Sequence, residues 1–199
     1  MKRFIGIAAA GVAAILATSA VEAEDGFYAG LGLGAGWGES DGGDSAGSLG
    51  NVGLTLGFRQ DMDGFFWGGE IDSDLSFHDL LESSGVSCDT QAFGPYYCTH
   101  DATLRFRGVI GTELMDGLEL FGTFGVGVME GQGAIDISAT DSATTAGFTG
   151  SLGVQMDLGP GTLRGEVIYD NFTHNLEPAA IYTPTWSETS AKVTYLIGF

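Results

Sequence analysis

Few residues of this chain have the types and spacing that nucleophilic or acid–base chemistry needs. His174 is the best candidate for a general base, because it lies with Asp170 in the polar segment 170–175. A base activates a nucleophile only when a hydroxyl or thiol lies within hydrogen-bonding reach. The residue two positions further on, where a serine would complete a His–Ser arrangement, is Leu176. The pattern therefore predicts a solvated loop histidine and no catalytic residue.

Paired carboxylates are the second candidate for chemistry. Asp72 and Asp74 lie two residues apart and could serve a hydrolase, but Arg105 and Arg107 have the same spacing further along the chain. Charged residues of opposite sign form structural ion-pair networks as well as catalytic sites. We expect these four residues to pair with one another.

The two cysteines, Cys88 and Cys98, could form a disulfide or bind a metal. A pair of cysteines in an exported chain most often forms a disulfide. Metal binding is the competing interpretation, because His78 and His100 are nearby. The four residues lack the tight spacings of known zinc sites. We predict a Cys88–Cys98 disulfide, no metal site and no bound cofactor.

The elements that must position these residues are β-strands. Large apolar residues recur at every second position, as on one face of a strand. The pattern predicts eight strands, at about 27–37, 51–59, 65–77, 102–112, 118–129, 145–158, 163–172 and 186–199. Short turns follow the even-numbered strands, whereas the other connections are long: roughly 38–50, 78–101, 130–144 and 173–185. Short turns on one side and long loops on the other are typical of bacterial transmembrane barrels.

The N-terminus predicts export. Lys2 and Arg3 precede an apolar run, and small residues follow up to Ala23, as in a secretory signal peptide. A membrane-spanning helix is the alternative, but the run is shorter than the roughly 20 residues that a span needs. We predict a signal peptide at 1–23 and a β-barrel at 24–199.

The charge of the chain excludes one class of partner. It has 26 acidic and 7 basic residues, a net charge of −19. Nucleic acid binding needs a basic surface, so we expect no nucleic acid partner. Ten acids fall in the predicted outer loops, where divalent cations could bind them: Glu39, Asp41, Asp44, Asp79, Glu82, Asp89, Asp101, Asp136, Asp141 and Glu177.

All five bases of the predicted mature chain fall on the strand face opposite the apolar one. A base that faces lipid at the midplane costs roughly 2–4 kcal/mol, so the polar face must point into the lumen. The predicted luminal charge network is Arg59, Glu70, Asp72, Asp74, Arg105, Arg107, Arg164, Glu166 and Lys192. Within it we expect Glu70 and Asp72 to meet Arg105 and Arg107, and Glu166 to meet Lys192. The glycines at even positions 30–36 also face inward and leave room for a water-filled crevice.

Aromatic residues near the strand ends predict two interfacial girdles, as in membrane barrels. The predicted periplasmic girdle is Phe27, Phe58, Phe65, Trp67 and Phe199, and the outer girdle is Trp37, Phe77, Phe172 and Trp186. A soluble barrel with aromatics at its strand ends is the alternative interpretation.

The chain ends in a strand whose apolar face is Val193, Tyr195, Ile197 and Phe199. This ending resembles the signal that the barrel-assembly machinery reads in outer-membrane proteins. The mature chain as a whole resembles the small eight-stranded outer-membrane barrels of OmpA/OmpX type, particularly the porin-like surface-antigen barrels of Gram-negative bacteria. The resemblance implies an all-β fold: a closed eight-stranded antiparallel transmembrane β-barrel with short periplasmic turns and long outer loops.

The resemblance also implies a location in the cell outer membrane, with membrane lipids, lipopolysaccharide and the assembly machinery as partners. We expect a non-enzymatic structural or surface barrel that contributes to envelope integrity or surface interaction. A small pore is one alternative. A lipid-A-modifying enzyme is the other, although His174 lacks the serine that such deacylases place two residues away.

Overall fold

Nine β-strands make up the computed structural model, which describes residues 26–40, 46–77, 86–89, 95–135, 139–176 and 186–199. The strands are β1 Gly26–Ser40, β2 Ala46–Met62, β3 Phe65–Phe77, β4 Val86–Asp89, β5 Pro95–Met115, β6 Leu118–Ile135, β7 Ala139–Leu158, β8 Gly161–Asn175 and β9 Trp186–Gly198.

Eight of these strands close into a ring of antiparallel pairs. Neighbours along the chain pair with each other, β3 pairs with β5, and β9 pairs with β1 to close the sheet. The ninth strand, β4, adds to the outer end of β5. The predicted fold class, a closed eight-stranded antiparallel barrel, is therefore confirmed.

Tight turns join the strands at the periplasmic end. They are centred on Asp63–Gly64, Asp116–Gly117 and Gly159–Pro160. Gly64, Gly117 and Gly159 have φ values of 86°, 73° and 65°, a conformation that costs glycine no steric energy. These turns match the short connections that the sequence predicts.

The pairing register sets the tilt of the strands. When directly opposed residues are followed once around the ring, the path leaves β1 at Tyr28 and returns to it at Gly38. The offset is 38 − 28 = 10 residues. A staggered register of this kind requires strands tilted at roughly 35–45° to the barrel axis.

The two faces of the sheet have the polarity of a membrane barrel. Large apolar side chains on the outer face are exposed, for example Leu33 at 69% and Phe124 at 71%. Charged side chains such as Asp72 and Arg105 are buried inside. A soluble barrel would have the opposite arrangement, because exposed apolar area is costly in water. No helix within the described residues is long and apolar enough to cross a membrane.

The strands extend further outward than the apolar pattern predicts. β1 reaches Ser40 and β2 begins at Ala46, so most of the predicted connection 38–50 is strand. Likewise, β6 reaches Ile135 and β7 begins at Ala139, and the connection 78–101 contains β4 and the start of β5. The apolar face stops at the bilayer edge, but the backbone hydrogen bonds of the ladder continue beyond it.

Large aromatic side chains inside the barrel lie over glycines of the neighbouring strand. The directly opposed pairs are Tyr28 with Gly57, Phe66 with Gly111, and Phe121 with Gly153. A Cβ atom at any of these glycines would overlap the ring. Phe66 and Phe121 also form a buried apolar cluster with Val109 at the periplasmic end of the lumen.

Phe172 is a correction to the predicted outer girdle. Its side chain is completely buried inside the barrel, and its Cε1 atom lies 3.1 Å from where a Cβ at Gly127 would be. The reason is the alternation of the strand, which puts Phe172 on the same face as Arg164 and Asp170. Trp37, Phe77 and the five predicted periplasmic aromatics are exposed on the outer face, and the Trp186 side chain lies outside those that the structure describes.

The inward glycines of β1 do not leave the expected crevice. A Cβ at Gly32 would lie 2.6 Å from Thr194 Oγ1 and 2.7 Å from Lys192 Cε. At Gly36 the corresponding distance to Ser190 Cβ is 2.6 Å. Side chains from the adjacent strand therefore fill the volume that we expected to hold water.

Candidate functional site in the barrel lumen

Two facing walls of the barrel carry almost all of the buried charge. β3 and β5 are neighbours in the ring, β8 and β9 are neighbours, and the two pairs lie opposite each other. Their inward side chains form a set that we call the luminal plug: Glu70, Asp72, Asp74, Arg105, Arg107, Arg164, Glu166, Asp170 and Lys192.

Arg105 is the central cation of the luminal plug. Its Nε atom donates to Asp170 Oδ1 at 3.0 Å and its Nη2 atom to Asp170 Oδ2 at 2.6 Å, a bidentate contact across the lumen. Nη1 donates to Asp72 Oδ1 at 3.0 Å and also to Asp74. One guanidinium group therefore joins β5 to β8 on the opposite wall and to β3 beside it.

A second layer of the plug lies closer to the periplasm. Arg107 Nη1 donates to Glu166 Oε2 at 3.0 Å, and Arg107 Nη2 donates to Glu70 Oε2 at 3.2 Å. Arg164 reaches across from β8 to Glu70, which also accepts a 2.5 Å hydrogen bond from the Tyr28 hydroxyl. The Arg164 guanidinium carbon lies 4.5 Å from the centre of the Phe121 ring, so its other side contacts the apolar cluster.

Lys192 does not pair with Glu166, although the two residues are directly opposed in β9 and β8. Lys192 Nζ instead lies 2.9 Å from Asp72 Oδ2 and 2.6 Å from Asp74 Oδ1, on the far wall. The lysine chain crosses the lumen because Gly32 leaves it space, and Glu166 is already bonded to Arg107. The expected Glu166–Lys192 ion pair is therefore wrong.

Arg59 lies in a polar cluster at the periplasmic mouth. It contacts Asp61 and Glu119, each at 2.6 Å, and Gln155 donates to the same Glu119 at 2.6 Å. Arg59, Asp61 and Glu119 are only part-buried, and the Arg59 guanidinium carbon lies 3.8 Å from the centre of the Phe66 ring. Gln155 is buried, and its Oε1 atom accepts a hydrogen bond from Arg164 Nε at 2.9 Å. Gln155 therefore joins the cluster at the mouth to the plug.

A third polar cluster, at the outer end of the lumen, was not predicted from the sequence. His100 Nδ1 lies 2.8 Å from Glu188 Oε2, and His100 Nε2 lies 2.5 Å from Thr103 Oγ1. The sequence pattern placed His100 in a loop. A β-bulge between His100 and Ala102 changes the alternation and turns the imidazole inward. Glu188 lies four residues before Lys192, so strand alternation puts both on the inward face, and this spacing could have identified Glu188 as a luminal residue.

The pairing explains how so much charge is buried. Six buried carboxylates face four permanent cations and His100, so three of the four cations contact two or more acids. An isolated charge in this environment would cost several kcal/mol. The geometry is that of braces between opposite walls. Within the described ranges, no group of three or more His, Cys, Asp or Glu side chains is arranged to hold a metal ion.

The remaining predicted site residues lie outside the lumen or outside the described residues. His174 is exposed at the outer end of β8. In β9, Val193, Tyr195 and Ile197 face outward, and the Phe199 amide donates to the Phe27 carbonyl at 2.8 Å, which continues the ring closure. Residues 1–23 and most of the acidic outer-loop side chains are not among the described residues.

The disulfide stays a prediction. Cys88 is opposed to Tyr96 and Cys98 to Val86, so the two cysteines are diagonal neighbours on one face of the β4–β5 hairpin. Diagonal neighbours have Cα atoms about 7–8 Å apart, whereas a disulfide usually joins Cα atoms 4.4–6.8 Å apart. Bond formation would therefore draw the two strands of the hairpin closer. The cysteine side chains themselves lie outside those that the structure describes.

Comparisons with known proteins agree with this architecture. The crystal structure of Neisserial surface protein A has a TM-score of 0.58 to this chain at 7% identity, and the match covers 87% of this chain and 97% of that one. The attachment invasion locus protein Ail of Yersinia pestis has a TM-score of 0.53 at 11% identity, covering 88% and 99%. At such identities the likeness shows the fold alone.

The sequence itself matches a family model. No curated protein matches the chain. The model described as the outer membrane protein beta-barrel domain matches residues 6–176, which is most of the sequence. The chain belongs to the outer membrane protein beta-barrel family and is located in the outer membrane as a small eight-stranded barrel.

Proposed function

We propose that this barrel is a non-enzymatic structural and surface protein. It anchors its outward-extending hairpins to the membrane and contributes to envelope integrity or surface interaction. The luminal plug is the observation that carries the proposal. An eight-stranded barrel has a lumen just wide enough for its own side chains. Here Arg164 connects opposite walls through Glu70, and Arg105 and Lys192 both do so further outward, at Asp72 and Asp74, which favours a rigid anchor over a water-filled pore.

The outer ends of the strands support the surface part of the proposal. β5 and β6 remain paired as far as Tyr97 and Ala134, and β6 and β7 as far as Ile135 and Ala139. The neighbouring β8 ends at Asn175, opposite Thr145. Three strands therefore continue outward beyond an adjoining part of the ring, where lipopolysaccharide and external partners would meet them.

A planar-bilayer measurement separates an anchor from a pore. We expect purified barrel to show no steady conductance. A double variant, Arg105→Ala with Asp170→Ala, removes the bidentate brace while Lys192 and Arg107 still contact Asp72. This variant should conduct or admit small solutes. Leu152→Ala on the lipid face is the matched control and should stay closed. A steady conductance of the wild type, as large as that of the double variant, would support the pore instead.

A deletion strain tests the structural role and the enzyme alternative together. We expect loss of the gene to increase sensitivity to detergents or to reduce surface binding, and expression of the wild-type chain to reverse whichever change occurs. Lipid A from the two strains should have the same mass spectrum. An acyl-chain difference that follows expression of the barrel would contradict the non-enzymatic proposal.

A further inference from the structure

The lipid-facing surface carries a groove at the periplasmic ends of several neighbouring strands. The groove has a volume of about 630 Å³ and lies on the outside of β1, β2, β3 and β5. Apolar side chains form its walls: Phe27, Leu56, Phe58, Ile71, Phe106 and Phe199.

Gly69 lines the floor of the groove. Gly69 of β3 is directly opposite Gly108 of β5. A Cβ at Gly69 would meet nothing closer than the Arg107 carbonyl oxygen at 3.9 Å, and one at Gly108 nothing closer than the Phe124 carbonyl oxygen at 3.7 Å. Phe58 is opposed to Gly69 from the other side. The floor is therefore bare backbone between bulky side chains.

The groove lies in the periplasmic half of the membrane. Gly69 is the fifth residue of β3, which begins at Phe65 directly after a periplasmic turn. A strand crosses the hydrocarbon region in about 9–11 residues, so the groove extends from the periplasmic interface to about the midplane. At the rim, the Phe27 ring centre lies 5.3 Å from that of Phe58 and 6.4 Å from that of Phe199. Such an aromatic rim suits the membrane interface.

We propose that this groove binds one acyl chain of a phospholipid in the periplasmic leaflet. At this depth the available apolar molecules are lipid chains, and a void would forfeit dispersion contacts with the wall. A flexible unbranched chain can enter a narrow cleft whose floor is bare backbone. A second copy of the barrel fits less well, because stable interfaces bury about 800 Å² and 20–30 residues on each side. Six groove side chains are far fewer.

Filling the floor of the groove tests the proposal. Gly69→Leu puts a side chain into the groove, whereas Gly165→Leu adds the same side chain on lipid-facing β8, where nothing lies within 4 Å of a Cβ. Native mass spectrometry of barrel extracted from phospholipid vesicles should show one retained phospholipid on wild type and on Gly165→Leu. The leucine would occupy the floor that the acyl chain contacts, so Gly69→Leu should lose most of the retained phospholipid.

A second measurement locates the chain and keeps the test decisive. In nanodiscs, magnetization transfer from lipid chains to the Ile71 and Leu56 methyl groups should exceed that to Leu152, and Gly69→Leu should abolish the excess. Heat-modifiable migration on gels checks that both variants fold. Equal transfer at Ile71 and Leu152, or equal retention by Gly69→Leu and Gly165→Leu, would overturn the proposal. Magnetization transfer to Ile71 from a second, differently labelled barrel would overturn the proposal and show that a second copy occupies the groove.

Discussion

The lumen is bounded by walls that carry long charged side chains and by a wall that carries glycines, and the two kinds of wall contribute differently to its packing. The walls made by β3, β5, β8 and β9 carry the long charged side chains of the plug. β1 carries glycines at its inward positions, including Gly32 and Gly36. Lys192 shows how the two fit, because its chain crosses in front of Gly32 to reach Asp72 and Asp74. Small residues on one wall leave the volume that large side chains from another wall fill.

The comparison also shows why glycine content is a poor guide to an open lumen. An interior packs close to the density of an organic crystal, so space beside a glycine is filled whenever another side chain can reach it. Tyr28, Phe66 and Phe121 do this from the adjacent strand, and Lys192 does it with its long aliphatic chain. We expect the charged walls to be destabilised when a side chain is removed, and the glycine wall to be destabilised when a side chain is added.

Removing the central cation should have the largest effect. Arg105→Ala leaves Asp170 without its bidentate partner inside the lumen, where both groups are about 1% exposed. Breaking a buried pair by removing one member typically costs about 3–5 kcal/mol. We expect a loss of that size in the free energy of unfolding, measured by denaturant titration in detergent micelles.

The control is an arginine from the same predicted network in a wetter setting. Arg59 also makes a short contact with an acid, but its side chain is 19% exposed at the periplasmic mouth. Exposed ion pairs contribute roughly 0–1 kcal/mol, and Arg59→Ala should cost little more than that. Equal losses for Arg59→Ala and Arg105→Ala would show that the plug is no more important to stability than the mouth.

Adding a single carbon to the glycine wall should have an intermediate effect. Gly32→Ala puts a Cβ 2.6–2.7 Å from Thr194 Oγ1 and Lys192 Cε, so Lys192 must move from its position near Asp74. Overpacking of this kind costs about 1–3 kcal/mol. The same change at Gly165, which has open space outside the barrel, should be neutral or slightly stabilising in the same titration. Similar values at both positions would mean that the lumen has spare room beside β1.

The smallest effect on the barrel should come from the cysteines, which lie outside both walls. Cys88→Ser should change the unfolding free energy of the ring by no more than about 0.5 kcal/mol, the usual range for sites away from the core. Protease sensitivity of the β4–β5 hairpin should rise, because a short closed loop loses roughly 2–3 kcal/mol of ordering on the chain-entropy model. Two free thiols in the mass spectrum of the native protein would contradict the disulfide itself.

Sequence pattern predicts which face a residue occupies far better than which partner it meets. The period-two pattern placed Arg105, Arg164 and Lys192 on the lumen face, because lipid excludes them from the other. It could not identify the Lys192–Asp74 contact, because partners across the lumen depend on the ten-residue offset of ring closure. That offset is a property of the whole ring, and no single pair of neighbouring strands reveals it.

Local irregularity and strand length account for the other differences. The bulge at His100 reverses the alternation at one residue, so counting from Arg105 gives the wrong face for the imidazole. The outer ends of β6 and β7 lack the apolar alternation that marks a membrane strand, yet they pair up to Ile135 and Ala139. Hydrophobic periodicity marks only the part of a strand that contacts lipid, whereas the backbone hydrogen bonds between strands can continue beyond the bilayer.

The cross-lumen braces also determine the order in which the barrel can be assembled. Lys192 and Asp74 are separated by 118 residues in the chain, and Arg164 and Glu70 by 94. Contacts between such distant positions form slowly, because the loop-closure entropy must be lost before they contribute any energy. Ion pairs between the neighbouring strands β3 and β5 can form before closure, whereas Lys192 and Arg164 can reach Asp74 and Glu70 only across the closed lumen. The final dehydration of these charges therefore marks the moment of closure, and an infrared signal from the Asp74 carboxylate would report when the barrel closes during insertion.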